Sequence, residues 1–337
     1  MMKLSYFIGL AALATVTVSS LTSCDTDAET VDVQTLTTYD AQYYANLRAF
    51  KQSPHEISYC YYAAWAPPEG STGAKITKSW GEKFMGLPDS LDIVNLWMGL
   101  PDQATQPEAY ADMVETREKK GTRFVFHADA SNYNHRFWYR DSALNVRQDS
   151  VIDLSKDKSE AAIRAYARWV VDTVTSNNLD GVDFDCEGWS GSNVRIAVDE
   201  CNKYFGPEGR WPEKLVIIDY FGGYPRGVNE DQLDWIIKQA YSGQGAGTGA
   251  SGPDEKTVYC ESFGQRHDGG EIEAYALWEP GNGKHKGGCG AFYIDHNYSN
   301  TTQHKYYPNG TPDNSRDDQP YSAFRRAIQI MNPAIHK

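Results

Sequence analysis

From Thr38 onward the chain alternates short apolar runs with longer stretches whose apolar residues recur at helical spacing. Parallel strands need long crossovers, and a strand buried on both faces reads as a continuous apolar run, so this alternation predicts a parallel sheet covered by helices. Eight runs qualify, at residues 57–64, 93–98, 123–128, 181–186, 215–220, 235–241, 258–262 and 290–295. Helical period occupies 110–120, 159–177, 193–204 and 321–331, with 39–51 as an early helix outside the sheet. Run 235–241 reads equally well as the end of a helix, and 275–286 does not resolve. Eight strand-plus-helix units predict an α/β fold, a TIM (β/α)8 barrel forming one domain over 39–337, with its chemistry at the C-terminal strand ends. Gly- and Asn-rich segments at 243–252 and 281–288 read as long loops.

One run carries charge where packing alone would not put it. Asp180-Gly181-Val182-Asp183-Phe184-Asp185-Cys186-Glu187 places Asp183, Asp185 and Glu187 on one face of a strand and Val182, Phe184 and Cys186 on the other. Burying an unpaired carboxylate is costly, and like charges ~7 Å apart repel. A site for chemistry or for a cation would hold such a row; an ordinary core would not.

The formal net charge of −13 and the lack of clustered Lys and Arg argue against phosphate-backbone binding, so nucleic acid is not an expected partner. Aromatic residues make up 13% of the chain, with 22 Tyr and 9 Trp, a supply of rings suited to sugar faces, although composition alone does not identify a glycan site. Cys60, Cys186, Cys201, Cys260 and Cys289 show no CxxC spacing and read mainly as small buried hydrophobes, with one disulfide permitted but not demanded. His127, His267 and His296 are not at ligand spacing, so neither a metal centre nor another cofactor is expected. Ser190 lies in no GxSxG elbow, which leaves a serine hydrolase unsupported.

At the N-terminus, Lys3 precedes an apolar stretch over residues 6–18, too short for a membrane span of ~20 residues and suited to a secretory signal. Leu21-Thr22-Ser23-Cys24 resembles a bacterial lipobox, which implies a signal peptide at 1–23 and lipidation at Cys24. Residues 24–38 read as a flexible tether whose acidic start resembles the surface-export signals of Bacteroidetes lipoproteins. The implied location is the outer membrane, lipid-anchored and facing the cell surface or the periplasm, with the chain as a monomer.

The acidic run also resembles the DGxDxDxE signature of glycoside hydrolase family 18, matching every specified position. The resemblance lies in this stretch and the barrel architecture, and it implies hydrolysis in which the substrate's own 2-acetamido group is the nucleophile. It assigns Glu187 as general acid and then base, a role that favours a sheltered carboxyl. Asp185 would orient the acetamido group and stabilise the oxazolinium ion, with Asp183 beneath, sharing a proton or hydrogen bond with Asp185. Asp180 reads as architectural. Gln239-Ala240-Tyr241 resembles the sixth-strand segment where the family sets a Tyr hydroxyl on the acetamido oxygen, and Gln239 is more like the endoglycosidases than the chitinases.

Two departures bear on the substrate. The third strand reads Phe126-His127-Ala128-Asp129 instead of SxGG, and the eighth ends Tyr293-Ile294-Asp295-His296-Asn297 without the chitinase Trp. A mouth lined by Asp129, Asp219, Tyr220 and Trp189 would suit a branched, polar glycan. The resemblance therefore implies an endo-β-N-acetylglucosaminidase acting on the N-glycans of glycoproteins. A chitinase-type hydrolase, a catalytically silent glycan-binding relative, and a Mg²⁺ or Ca²⁺ site built from the carboxylates are the alternatives.

Overall fold

The computed structural model describes residues 39–333 apart from 64, 66–78, 98, 130–133, 142–145, 155, 248–251 and 282. For the strands at 134–141 and 146–153 it describes the backbone. The signal, lipidation site and tether expected within 1–38 lie outside these residues.

The strands are β1 Ile57–Tyr61, β2 Ile93–Leu96, β3 Arg123–Asp129, β4 Asn134–Asp141, β5 Val146–Asp153, β6 Gly181–Asp185, β7 Leu215–Tyr220, β8 Trp235–Gln239, β9 Thr257–Ser262 and β10 Gly288–Phe292, with a short β11 Thr302–Gln303 and β12 Arg316–Asp317. Eight of them close a parallel barrel in the order β1-β2-β3-β6-β7-β8-β9-β10, with β10 pairing back to β1. These are the eight runs expected from the sequence, and the doubtful run at 235–241 is a strand. The helices are α1 Ala41–Gln52, α2 Pro107–Lys120, α3 Glu160–Ser176, α4 Gly191–Cys201, α5 Ile272–Leu277 and α6 Ser322–Met331. Helix α5 settles the start of the segment at 275–286.

Local chemistry sets these elements. Ser159 caps α3, its hydroxyl accepting from the Ala162 N–H at 3.3 Å, and Ile163, Tyr166, Ala167, Val170 and Val174 form the buried stripe behind it. Ser190 caps α4 in the same way, accepting from the Asn193 N–H at 3.3 Å. Helix α2 begins with Pro107 and stops at Gly121, whose φ of +70° suits the left-handed cap.

Strand alternation separates two apolar layers. Ile57, Tyr59, Ile93, Val125, Ile217, Ile237 and Val258 fill the barrel interior. Val182, Phe184 and Cys186 pack outside, beneath the helices, as the period-2 reading of the acidic strand requires. All five described cysteines are buried and unpaired.

Two features depart from the expected repeat. Among the described residues, the β1–β2, β7–β8 and β8–β9 connections carry only 3-10 turns in place of α-helices. The glycines and Pro225 of residues 222–227, and the glycines of 243–252, account for two of these, since neither segment sustains a helix. The second feature is an antiparallel hairpin, β4 with β5, inserted between β3 and α3. Its strands are largely polar, so they lack the apolar signal that marked the barrel.

Gly181 enters the acidic strand with φ of +155°, and a Cβ there would stand 2.4 Å from the Leu215 carbonyl oxygen. A glycine at this point lets β6 approach β7 closely enough to pair.

Candidate active site

The C-terminal ends of the strands converge on a mouth. Register places Asp183 beside His127 and Ile217, and Asp185 beside Asp129 and Asp219. Glu187 follows two residues beyond Asp185, and its backbone N–H donates to Asp185 Oδ1 at 2.9 Å. Glu187 is exposed. The sheltered acid expected from the sequence is not found; the side chain stands at the rim, where a substrate would cover it.

Asp183 is fully buried on the floor. The Tyr59 hydroxyl donates to its Oδ2, and the Asn95 side-chain amide donates to the same oxygen at 2.8 Å. The expected partnership with Asp185 gives way to one with Asp219. Asp219 is also fully buried; one oxygen accepts from the Gln239 amide, and it lies in the field of Asp183. Asp183 Oδ1 and Asp219 Oδ2 have no hydrogen-bond partner in good geometry. Desolvation pushes Asp183 up to about 6 and Asp219 well above the carboxylate range, so burial favours a proton on this pair. The two side chains meet diagonally across β6 and β7, since Asp183 is in register with Ile217 and Asp219 with Asp185.

Asp185 sits above them, half-buried. Burial, and then the charges of Glu187, Asp129 and Asp183, push it up to about 7, against the opposing hydrogen bond from the Glu187 N–H. His127 Nε2 is 3.8 Å from Asp185 Oδ2, but burial lowers the imidazole to about 4, so at neutral pH it offers no positive charge. His127, Asp129 and Asp185 bring three ligand atoms within 4.8 Å. A nitrogen among the three ligands suits Mg²⁺ or Ca²⁺ poorly, because these ions prefer all-oxygen shells.

Tyr241 begins the turn just past β8. Its ring stacks on Phe292 of β10 at a centroid distance of 5.6 Å and 21° between planes. Desolvation raises its hydroxyl well above the ordinary tyrosine value, and Asp219, Glu187 and Asp185 add to the rise. Tyr241 therefore stays protonated, a hydrogen-bond donor within the field of the acids. Phe292 also meets Trp97 edge-on at 5.1 Å and Tyr61 at 5.6 Å, giving the mouth an aromatic wall.

Other expected mouth residues lie elsewhere. Tyr220 follows Asp219 on β7 and so faces the outer layer, where its ring packs against Tyr224 at 5.9 Å and under Lys238 at 4.9 Å. Trp189 packs against Tyr166 in the same outer layer, at 6.4 Å. Gln239 and Asp219 are buried supports of the floor, not lining groups. Asp129 does join the site, at the end of β3 beside Asp185. Asp180 is architectural as expected, accepting from Arg117 at 3.1 Å and from the Phe124 N–H at 2.8 Å. Tyr59, Tyr61, Asn95, Trp97 and Phe292 were not anticipated. Asn95 left a signal, a polar residue in the middle of the apolar run Ile93-Val94-Asn95-Leu96.

Carboxyls gathered at the C-terminal mouth of a closed parallel barrel, walled by aromatic rings, are the working parts of a sugar-cleaving barrel enzyme. The chain belongs to glycoside hydrolase family 18: residues 26–262 match the model described as "Glycoside hydrolase family 18, BT1044-like". It is 25% identical over 328 residues to endo-β-N-acetylglucosaminidase F2 of Elizabethkingia meningoseptica, covering 86% of this chain and 85% of that protein. In fold it is similar to a glutamate-to-glutamine variant of BT1044, with a TM-score of 0.62, 18% identity and coverage of 89% of this chain and 97% of the other. It is also similar to an endo-β-N-acetylglucosaminidase variant from Cordyceps militaris in complex with fucosyl-N-acetylglucosamine-Asn, with a TM-score of 0.59, 18% identity and coverage of 88% and 98%.

Proposed function

We propose that this protein is an endo-β-N-acetylglucosaminidase that hydrolyses the β-1,4 bond between the two core GlcNAc residues of N-glycans with retention of configuration. The observation that carries this reading is the row Asp183, Asp185, Glu187 rising from a buried floor to an exposed rim, with Tyr241 just past the end of β8 and its ring on Phe292. In this mechanism Glu187 protonates the glycosidic oxygen while the acetamido oxygen attacks the anomeric carbon, giving an oxazolinium ion. Asp185 takes the acetamido N–H and offsets the developing positive charge; Tyr241 donates to the acetamido oxygen and fixes its approach. Glu187 then removes a proton from water, which opens the ring with the original configuration. The Cordyceps enzyme's variant replaces an Asp and a Glu two positions apart, the spacing of Asp185 and Glu187 here.

The protein acts as a monomer, exported and lipidated at Cys24, on the outer membrane. The substrate reading is supported by the named relatives and by an eighth barrel strand that ends Tyr293-Ile294-Asp295-His296-Asn297 without the chitinase Trp. Mass spectrometry of glycans released from a panel of defined glycoproteins tests it. Glycans carrying a single reducing-end GlcNAc are expected, and Glu187→Gln is expected to cut turnover by about 10³-fold while binding persists. Preferential cleavage of chitooligosaccharides would replace this reading with a chitinase, and binding without release would replace it with a lectin. Retention of radiolabelled palmitate by the parent but not by Cys24→Ser tests the anchor.

A further inference from the structure

Glu56 lies just ahead of β1, at the closed end of the barrel, and the segment between α5 and β10 brings Glu279, His285 and Lys286 around it. Glu56 is 7% exposed. Its Oε2 accepts from Lys286 Nζ at 2.7 Å; that lysine is itself buried, donates to the Ala276 carbonyl at 2.9 Å and lies 3.6 Å from Glu279 Oε1. One lysine thus engages one oxygen of each carboxylate and leaves the other two. The remaining oxygen of Glu56, Oε1, is buried with no hydrogen-bond partner. It lies 3.7 Å from His285 Nδ1, which in turn lies 3.5 Å from Glu279 Oε2.

A buried carboxylate oxygen without a donor is costly, and native proteins almost always satisfy one. Burial raises Glu56 to about 7, and the Glu279 carboxyl beside it adds to the rise against the pull of Lys286, so a cation here would take the place of a proton. The spacing is that of a coordination shell: ligand atoms ~2.0–2.1 Å from a tetrahedral zinc stand about 3.4 Å apart. A nitrogen with two oxygens selects a borderline transition ion over Mg²⁺ or Ca²⁺.

We propose that Glu56, Glu279 and His285 form a binding site for a divalent cation of the zinc class, separate from the sugar-cleaving mouth. The ion staples the irregular segment ahead of β10 to the chain entering β1, the two strands whose pairing closes the barrel. The adjacent lysine weakens the site relative to one with no neighbouring positive charge.

The test uses the full chain, treated with chelator, dialysed and titrated with zinc chloride alone at pH 7.5. Binding is read by calorimetry and by the thermal unfolding midpoint, beside His285→Ala and Glu279→Gln, both at exposed positions. One ion per chain is expected, with a midpoint rise of roughly 2–5 °C at saturation and no rise with calcium chloride. Each variant is expected to bind at least tenfold more weakly and to lose the rise. Zinc bound equally well by both variants places the ion elsewhere, as at His127, Asp129 and Asp185, and overturns the proposal. A parent protein that neither binds zinc nor gains stability from it overturns it too.

Discussion

The side-chain amide of Gln239 is bonded to one oxygen of Asp219, while Asp219 and Asp183 lie in each other's field on the barrel floor. A residue from β8 thereby governs an acid of β6 without touching it. Replacing Gln239 with Leu leaves a buried carboxyl oxygen without its donor, and the expected cost is about 1–3 kcal/mol of stability, read by urea denaturation. A loss near zero would mean that the amide does not support the floor.

Asp185 gives a pH dependence of known sign. Its folded-state value is about 7 against an ordinary 3.8, so between these values the folded protein holds a proton that the unfolded chain has released. That stabilising contribution is present near pH 4 and is lost as pH rises through 7. Asp185→Asn cannot ionise, so at pH 8 it is expected to exceed the parent by about 1–3 kcal/mol, with the difference shrinking toward pH 4. Denaturant midpoints of the two proteins at both pH values check this.

Tyr241 combines two contributions that substitution separates. Tyr241→Phe keeps the ring on Phe292 and removes the donor, so kcat/KM is expected to fall about 10²-fold while the unfolding midpoint stays within a degree or so. Tyr241→Ala is expected to lower both. Unchanged turnover in the Phe variant would remove the hydroxyl from the mechanism.

Gly181 sits where a side chain has no room. Gly181→Ala adds a Cβ at 2.4 Å from a backbone oxygen in a conformation that L-residues avoid, and is expected to destabilise by about 3 kcal/mol or more. Soluble yield and the unfolding midpoint read this directly.

Chelation separates the sugar chemistry from a cation at the mouth. Turnover assayed at 25 °C in excess EDTA is expected to match the untreated enzyme, because no step assigned to Glu187, Asp185 or Tyr241 passes through a metal. A large reversible loss would make His127, Asp129 and Asp185 a ligand set.

The strands and the acidic row were legible because both are periodic, and periodicity survives without coordinates. All eight barrel strands carry apolar runs that tertiary packing has no reason to disguise. The β4–β5 hairpin was not legible, since its two runs are largely polar and carry no sustained apolar alternation. Partners across strands were harder still. Asp183 meets Asp219 diagonally across β6 and β7, two positions beyond its register partner Ile217, and which residues of two separate segments meet is not written locally. Tyr220 was misplaced for a simpler reason: its neighbour Asp219 points inward, and a strand cannot send both to the same side.

The wall that backs Tyr241 is completed by β10, whose register with β1 also closes the circle. A ribosome has therefore made every acid of the site long before the pocket exists, and a fragment ending ahead of residue 288 carries the reactive groups on an open, unsealed sheet. A sealed mouth in this chain therefore waits on its last barrel strand, so turnover reports closure of the barrel.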